Sequence, residues 1–304
     1  MTNAALLCLA LILDAIFGEP RAIWSRLPHP AVLMGRAVGW IDLRFNHGSH
    51  RRAKGAASFA ALAAFAILAG VILAALPGGW IIEALLAAIL LAQRSLVDHV
   101  AAVADALRLS TGDARRAVAQ IVGRDTRGMD DPAIARAAIE SAAENFSDGL
   151  TAPAFWFLIG GLPGLLLYKI TNTADSMIGY KTQRHADFGW AAARFDDLLN
   201  WLPARLTALL FAALHGLLNQ WSAIRADAGL HRSPNAGWPE AAMARALGVA
   251  LAGPRSYDGQ MQEYAFVNPT GNRAPGADQI DGAITILWRA WAAILGLSLL
   301  IAVV

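Results

Sequence analysis

The sequence predicts an all-α, polytopic integral membrane protein with about four to six apolar helices, one of them broken or re-entrant, and helical cytoplasmic loops. The 304 residues are 56% hydrophobic and 16% charged, whereas soluble domains carry roughly 25% charged residues. Long uncharged segments alternate with polar loops, and no run of alternating β-branched residues predicts a strand. The chain, 1–304, is therefore expected to form one membrane domain.

Six apolar segments account for the predicted helices. Segment 57–76 carries no charge, and Pro77-Gly-Gly79 makes a turn from which 80–93 returns, so this pair predicts a helical hairpin. Segment 150–170 is interrupted by Gly160-Gly-Leu-Pro-Gly164, and each half has about half of the roughly 20 residues that a span needs. It predicts either one kinked span or two half-helices with both ends on one side, which we favour. The six segments are 4–17, 57–76, 80–93, 150–170, 199–219 and 284–304.

The polar loops set the expected orientation. Loop 18–56 holds seven basic residues against two acidic ones, which places it in the cytoplasm. The hairpin then returns 94–149 to the same side, and the site is expected to face the cytoplasm from the inner membrane. Loop 94–149 predicts helices, with a turn and cap at Ser110 and a helix that Pro132 opens. The loops are 18–56, 94–149, 171–198 and 220–283, and the side of the last stays open.

Charge and cysteine content exclude several classes of function. The net charge is only +2 and the basic residues are interleaved with acids, so nucleic acid is not expected as a partner. The single cysteine, Cys8, excludes an internal disulfide and a cysteine-built metal site. The lipid bilayer is the expected partner, and the sequence leaves a homo-oligomer open.

Carboxylates before the broken segment are the strongest functional signal. Glu140, Glu144 and Asp148 recur every four residues and so share one face of a predicted helix, which also supplies Asn145. Such acids repel one another and are costly to desolvate beside an apolar segment. A solvated helix face is the simpler interpretation, but the position next to the apolar segment favours a Mg²⁺ site.

A second polar cluster follows the broken segment. It contains Lys169, Asn172, Asp175 and Lys181. Helix capping would explain the Thr, Asn and Asp residues, but Asp175 could share a metal with the glutamates and the lysines could hold phosphate. We therefore expect the two flanks of the broken segment to act together.

Four further motifs carry candidate residues. The turn Gly123-Arg-Asp-Thr126 could grip an anion through Arg124. Asp14 lies inside an apolar helix, where an acid is by default a functional candidate, and His29 lies between two prolines. Asn235 and Glu240 belong to a turn-rich loop that could line a pocket. Asp196 and Asp197 predict a helix cap or a functional pair equally well.

These segments resemble the cobalamin-biosynthesis membrane proteins of the CbiB/CobD family, the adenosylcobinamide-phosphate synthases. The similarity covers most of the chain, and Glu19 stands where the family is expected to carry Asp. The shared motifs include Asp14…Gly18-Glu-Pro20, His29-Pro30…Met34-Gly-Arg36, Arg94-Ser-Leu96, Val122-Gly-Arg-Asp-Thr126, Glu140-Ser-Ala-Ala-Glu-Asn-Phe-Ser-Asp-Gly149, Asn172-Thr-Ala-Asp-Ser-Met-Ile-Gly-Tyr180, Phe195-Asp-Asp197 and Ser233-Pro-Asn-Ala-Gly-Trp-Pro-Glu240.

The resemblance implies a carbon–nitrogen ligase. Such an enzyme joins the propionate carboxylate of adenosylcobyric acid, a corrinoid, to aminopropanol or aminopropanol phosphate, with ATP as co-substrate and Mg²⁺. An acyl phosphate formed from ATP would provide the leaving group. Glu140, Glu144, Asp148 and Asp175 are expected to bind the metal, and Asp14 or His29 to deprotonate the amine. The residues expected to bind the nucleotide or another phosphate are Arg124, Asp125, Thr126, Asn145, Lys169, Asn172, Lys181 and Asn235.

Two other functions stay open at this point. A Mg²⁺-dependent intramembrane prenyltransferase would also place acids at helix ends, although two aspartate-rich repeats are missing from the sequence. A transporter or membrane sensor would suit the broken helix and Asp14, although no inverted repeat is visible.

Overall fold

The computed structural model describes residues 1–257 and 260–303. Within these residues the chain is helical apart from four strands of two or three residues, so the predicted all-α class is confirmed. The strands pair as two antiparallel ribbons, β1 with β4 and β2 with β3, and lie within the predicted loop 220–283. They are β1 (Leu251–Ala252), β2 (Arg255–Tyr257), β3 (Gln260–Gln262) and β4 (Phe266–Val267).

The chain divides into two compact units, where the sequence predicts one domain. The first unit contains 1–92, 152–200 and the residues from 295 onward, and the second contains 93–151 and 201–294. The first unit is built from α1 (Asn3–Phe17), α2 (Arg21–Trp24), α3 (Pro30–Phe45), α4 (Arg51–Ala75), α5 (Gly79–Leu90), α9 (Ala152–Ile178) and α10 (Trp190–Leu199). The second unit is built from α6 (Gln93–Leu109), α7 (Thr111–Val118), α8 (Asp131–Phe146), α11 (Trp201–Leu214), α12 (Trp221–Ala228), α13 (Gly237–Leu247) and most of α14 (Ala277–Val303).

In the first unit, α4 and α5 form the predicted helical hairpin. Gly79 follows the turn and lies against the backbone of Ala74, where no side chain would fit. Helix α4 begins at Arg51, six residues before the predicted span, because the basic residues at its start are good helix formers and extend the helix. Gly70 of α4 packs directly on the backbone of Pro163, which brings α4 against α9.

Helix α9 contains a sharp break that folds its two halves back on each other. Gly161 has φ 57° and ψ −151°, a backbone conformation that is essentially restricted to glycine. Beyond the break, Gly164 packs on the carbonyl group of Trp156, and Ala152 lies in one buried cluster with Tyr168. Residues 16 positions apart in one straight helix could not share a cluster. The fold-back agrees with two half-helices, and the side of the membrane on which their ends lie stays a prediction.

The second unit is assembled largely from small residues. Five of the ten buried residues of α8 are alanines, which allow close helix packing. Phe146 at the end of α8 meets Phe211 of α11 with ring centroids 5.4 Å apart. The predicted helix starts are confirmed. The Ser110 hydroxyl caps α7 by accepting from the Asp113 N–H at 3.0 Å, and Pro132 lies in the first turn of α8. A π-helical turn, Ser147–Thr151, follows α8.

Several helices are long and apolar enough to cross a membrane. Four qualify among the described residues by length and composition, or five when α10 and α11 are counted as one bent pair. This agrees with the predicted four to six apolar helices. The four are Arg51–Ala75, Gly79–Leu109, Asp131–Ile178 and Ala277–Val303.

Candidate active site

The three acids of the first predicted cluster differ in their surroundings. Glu140 is buried on α8, and Glu144 is half-buried one turn later. Asp148 is also half-buried, but it lies in the π-helical turn. A π turn follows a wider hydrogen-bonding pattern than an α-helix and occurs often at functional sites. The regular four-residue stacking that the sequence predicts therefore holds from Glu140 to Glu144 and changes before Asp148.

Glu140 is the centre of a buried ion pair. Its Oε2 accepts a hydrogen bond from the Arg124 guanidinium at 2.8 Å, and its Oε1 accepts from the backbone N–H of Ala252 at 2.7 Å. The two side chains are only 9% and 6% exposed. Glu140 thus ties the turn at Arg124 and strand β1 to α8. The metal role expected of Glu140 stays a prediction, beside this structural role.

A cavity of about 520 Å³ opens next to this ion pair. Its volume lies within the roughly 300–1,000 Å³ of small-molecule sites. Arg124, Asp125, Arg136 and Glu140 line its polar part, and Phe266 contributes an apolar wall. Hydrogen bonds from Arg127 hold the pKa of Asp125 below its usual value. The predicted anion-binding turn therefore borders a space that a polar ligand could enter.

The second predicted cluster lies in the first unit and is larger than expected. Asp175 on α9 is close enough to Asp197 on α10 to feel its charge, and Asp196 feels the charges of both. Lys181 attracts Asp197. Three carboxylates and a lysine therefore meet where α9 and α10 pack together.

Amide side chains hold Asp196 in this cluster. Its Oδ2 accepts from Asn200 Nδ2 at 3.0 Å, and its Oδ1 accepts from Asn172 Nδ2 at 3.5 Å. The Tyr168 hydroxyl donates to Asn200 Oδ1 at 2.9 Å. The sequence predicts Asn172 and Asp175 as site residues, supports a cap or a functional pair equally at Asp196 and Asp197, and gives no signal for Asn200. The adjacent acids in Phe195-Asp-Asp197 were the available signal, and they are equally typical of a helix cap.

Asp175 itself packs on a glycine. A β-carbon at Gly179 would overlap the Asp175 carboxylate and its backbone carbonyl oxygen. The Gly179 N–H closes this turn by donating to the Asp175 carbonyl at 2.7 Å. The absence of a side chain at Gly179 therefore gives the Asp175 carboxylate its position.

His29 is half-buried before α3, where it caps the helix. Its Nδ1 accepts a hydrogen bond from the backbone N–H of Ala31 at 3.1 Å, so the neutral ring carries its proton on Nε2. Burial lowers the pKa of His29, and the negative charge of Glu19 partly opposes this shift. With its proton on Nε2 and its Nδ1 lone pair occupied, His29 has no free nitrogen to accept a further proton.

Other predicted residues have mainly local contacts. Asn145 is exposed and donates to the Ser141 carbonyl at 2.8 Å, and Thr126 is buried. Asn235 accepts from Arg205 at 3.1 Å. Asp14 is buried at 3% exposure, and Lys169 lies near enough to His29 to affect its charge. The expected roles of Asn145, Thr126, Asn235, Asp14 and Lys169 therefore stay predictions.

The predicted site residues are divided between the two units. Asp14, His29, Lys169, Asn172, Asp175 and Lys181 belong to the first unit. Arg124, Asp125, Thr126, Glu140, Glu144, Asn145, Asp148 and Asn235 belong to the second unit. The metal that Asp175 was expected to share with the glutamates stays a prediction.

Both units supply oxygen ligands of the kind that Mg²⁺ prefers. In the described part of the chain, no three His, Cys, Asp or Glu side chains form a ready-made metal site. Mg²⁺ in phosphate-transferring sites is commonly held by one or two carboxylates together with water and substrate phosphate. Asp175 beside Asp197, with no sulfur or imidazole donor in the cluster, fits that requirement.

Comparisons with known proteins agree with the motifs. The family described as "CobD/Cbib protein" matches residues 7–287. A relative from Brucella suis biovar 1 (strain 1330), called "Cobalamin biosynthesis protein CobD", is 48% identical over 96% of this chain and 94% of its own length. Relatives with the same name from Rhizobium meliloti (strain 1021) and Rhodobacter capsulatus are 48% and 44% identical over 94% and 100% of this chain, and cover 92% and 98% of their own lengths.

No solved structure matches the chain. The family match spans most of both units, and the similarity to each of these three relatives covers more than nine-tenths of the chain and of the relative. On these grounds the chain belongs to the CobD/CbiB family.

Proposed function

We propose that this protein works in cobalamin biosynthesis as a membrane-bound, ATP-dependent ligase. It joins the propionate carboxylate of adenosylcobyric acid to the amine of aminopropanol or aminopropanol phosphate, and the product is adenosylcobinamide or its phosphate. The observation that carries the proposal is the family match over residues 7–287, together with relatives named for cobalamin biosynthesis.

The reaction requires two chemical tasks of the protein. A carboxylate does not react with an amine until one of its oxygens becomes a leaving group, and ATP supplies that group as phosphate. The phosphates must therefore be held by cations, and the amine must lose a proton before it attacks. Lys169 and Lys181 in the first unit and Arg124 in the second are the cations that we assign to phosphate.

Magnesium fits the acids described above. Bound Mg²⁺ would neutralise negative charge on the transferring phosphate, and Asp175 with Asp197, or Glu144 with Asp148, are the residues that would hold it. Asn172 and Asn200 fix the neighbouring Asp196 through hydrogen bonds. Arg124 lines the cavity of about 520 Å³. Its ion pair with Glu140 holds the guanidinium group in place at the cavity wall.

Deprotonation of the amine is assigned to Asp14. The Nδ1 lone pair of His29 is occupied by the Ala31 N–H, so this ring is a poor base as it stands. Asp14 lines an apolar cavity of about 250 Å³ together with Trp24 and the last turns of α1 and α5. The His29 ring contacts Trp24 edge-on with centroids 4.5 Å apart, so His29 supports one wall of this cavity.

The location of the reaction at the membrane is part of the proposal. Four or five apolar helices are long enough to span it. We propose the inner membrane with the reacting groups on the cytoplasmic side, because loop 18–56 is strongly basic and because ATP is a cytoplasmic substrate.

Amide formation by the purified protein tests the proposal. The protein in detergent or nanodiscs is given adenosylcobyric acid, ATP, Mg²⁺ and either amine, and the product is measured by liquid chromatography and mass spectrometry. We expect a corrinoid amide only when all components are present. A protein that forms no amide with either amine, but moves a solute across sealed vesicles or transfers a prenyl group, would refute the proposal.

A further inference from the structure

We propose that Tyr168 and Asn200 are positioning residues that fix the orientation of the Asp196 carboxylate beside Asp175. The inference rests on the proposed function, in which the acids where α9 and α10 meet take part in the ligation. It assigns a role in turnover to a tyrosine inside the apolar half-helix, which no motif marked.

Asp196 needs to be held because it is buried. The residue is only 9% exposed. A buried carboxyl group is stable only when its oxygens have hydrogen-bond partners, and those partners decide which way it faces. Asn200 and Asn172 supply one amide donor to each oxygen, at 3.0 and 3.5 Å.

Asn200 has two ways to place its amide, and Tyr168 selects one. The amide carries an acceptor oxygen and a donor nitrogen on a planar group that fits its site in either orientation. The Tyr168 hydroxyl donates to Asn200 Oδ1 at 2.9 Å, and this leaves Nδ2 pointing at Asp196. Both Tyr168 and Asn200 are buried, at 0% and 2% exposure, so water does not compete for either bond.

The hydroxyl, rather than the ring, therefore carries this effect. A phenylalanine at position 168 would fill the same space in the cluster with Ala152 and Leu199. It would leave Asn200 Oδ1 without the donor that sets its direction, and the amide could then rotate its nitrogen away from Asp196.

The chain provides a matched control in Trp156. Its Nε1–H donates to the backbone carbonyl of Leu199 at 3.1 Å, so it also ties the broken helix to the end of α10, without touching Asp196. Tyr168→Phe and Trp156→Phe each remove one hydrogen bond to the same turn. If Tyr168 only packs, the two variants should behave alike.

Turnover and stability are measured for both variants. We expect Tyr168→Phe to lower kcat about tenfold, the rate equivalent of roughly one hydrogen bond, with KM for the corrinoid unchanged. Trp156→Phe is expected to keep kcat within twofold of wild type, although its loss of thermal stability should be similar to that of Tyr168→Phe. Asn200→Ala should lower kcat at least as much, and adding Tyr168→Phe to it should have no further effect, because the two residues act in one chain.

A second measurement does not depend on turnover. Hydrophobic carbodiimide labels buried carboxyl groups, and the rate of labelling at Asp196 is followed by mass spectrometry in the resting protein. We expect Tyr168→Phe to change this rate at least threefold and Trp156→Phe to leave it unchanged.

The outcomes separate this inference from the proposed function. An active wild type with kcat in Tyr168→Phe within twofold, or with equal losses in both variants, would overturn the inference alone. An inactive wild type would overturn the proposed function, and the labelling rates would still decide whether Tyr168 sets the state of Asp196.

Discussion

Replacing Glu140 with glutamine tests the buried ion pair most severely. The substitution leaves the Arg124 guanidinium, 9% exposed at its side chain, without its counter-charge. Glutamine also cannot satisfy both former partners, because its NH2 group must face either Arg124 or the N–H of Ala252, and each of these is a donor. Removal of one member of a buried pair destabilises proteins by about 3–5 kcal/mol.

Thermal unfolding in detergent, followed by circular dichroism, measures this loss. A domain of roughly 150 residues loses about 2–4 °C in Tm per kcal/mol, so Glu140→Gln should lower Tm by roughly 6–20 °C. Glu144→Gln is the matched control, because Glu144 lies one turn further along α8 and is only half-buried. A Tm for Glu140→Gln within about 2 °C of wild type, no more than the shift that 1 kcal/mol produces, would refute the reasoning.

Further predictions concern catalysis, the helix break and pH. Glu144→Gln should abolish amide formation in a protein that still folds, and near-normal turnover would contradict its proposed metal role. Gly179→Ala should push the Asp175 carboxylate aside and lower kcat by about 100-fold, the effect of a misplacement near 1 Å, whereas unchanged kcat would show that Asp175 is not needed. Gly161→Ala should destabilise the protein by about 1–3 kcal/mol in thermal unfolding, and Gly160→Ala, which has open space around it, serves as control. Burial raises the pKa of Asp42, but hydrogen bonds from Arg184 and Asn46 outweigh burial and lower this pKa below 3.8. The ionised Asp42 therefore stabilises the folded protein above about pH 4, and this stabilisation is lost as the pH falls further. The decrease of Tm with falling pH should thus be steeper for wild type than for Asp42→Asn.

Much of the membrane architecture could be predicted because it depends on local signals. The interruption at Gly160-Gly-Leu-Pro-Gly164 predicts a break in the helix, and each apolar half is too short to span the membrane alone. Caps at Ser110 and Pro132 follow from residue chemistry alone. These features require only neighbours in sequence. The structure confirms the break and both helix starts, and which segments span the membrane stays a prediction.

Contacts between distant residues account for what the sequence could not predict. The Ala252 N–H meets Glu140 across 112 positions, through a strand of two residues too short to leave a pattern. Asp196 lies near Asp175 only because α10 packs on α9. In the sequence, the adjacent acids Asp196 and Asp197 are equally typical of a helix cap. The π-helical turn at Ser147–Thr151 likewise interrupts a spacing that reads as regular α-helix.

Isotope transfer from the carboxylate tests the proposed ligation most directly. Adenosylcobyric acid carrying ¹⁸O in its reactive propionate is converted by the purified protein with ATP, Mg²⁺ and the amine, and the phosphate product is analysed by mass spectrometry. If ATP activates the carboxylate, each amide formed releases one ¹⁸O atom into a phosphate-containing product. Amide formation without ¹⁸O in any such product, or no amide at all, would contradict the account.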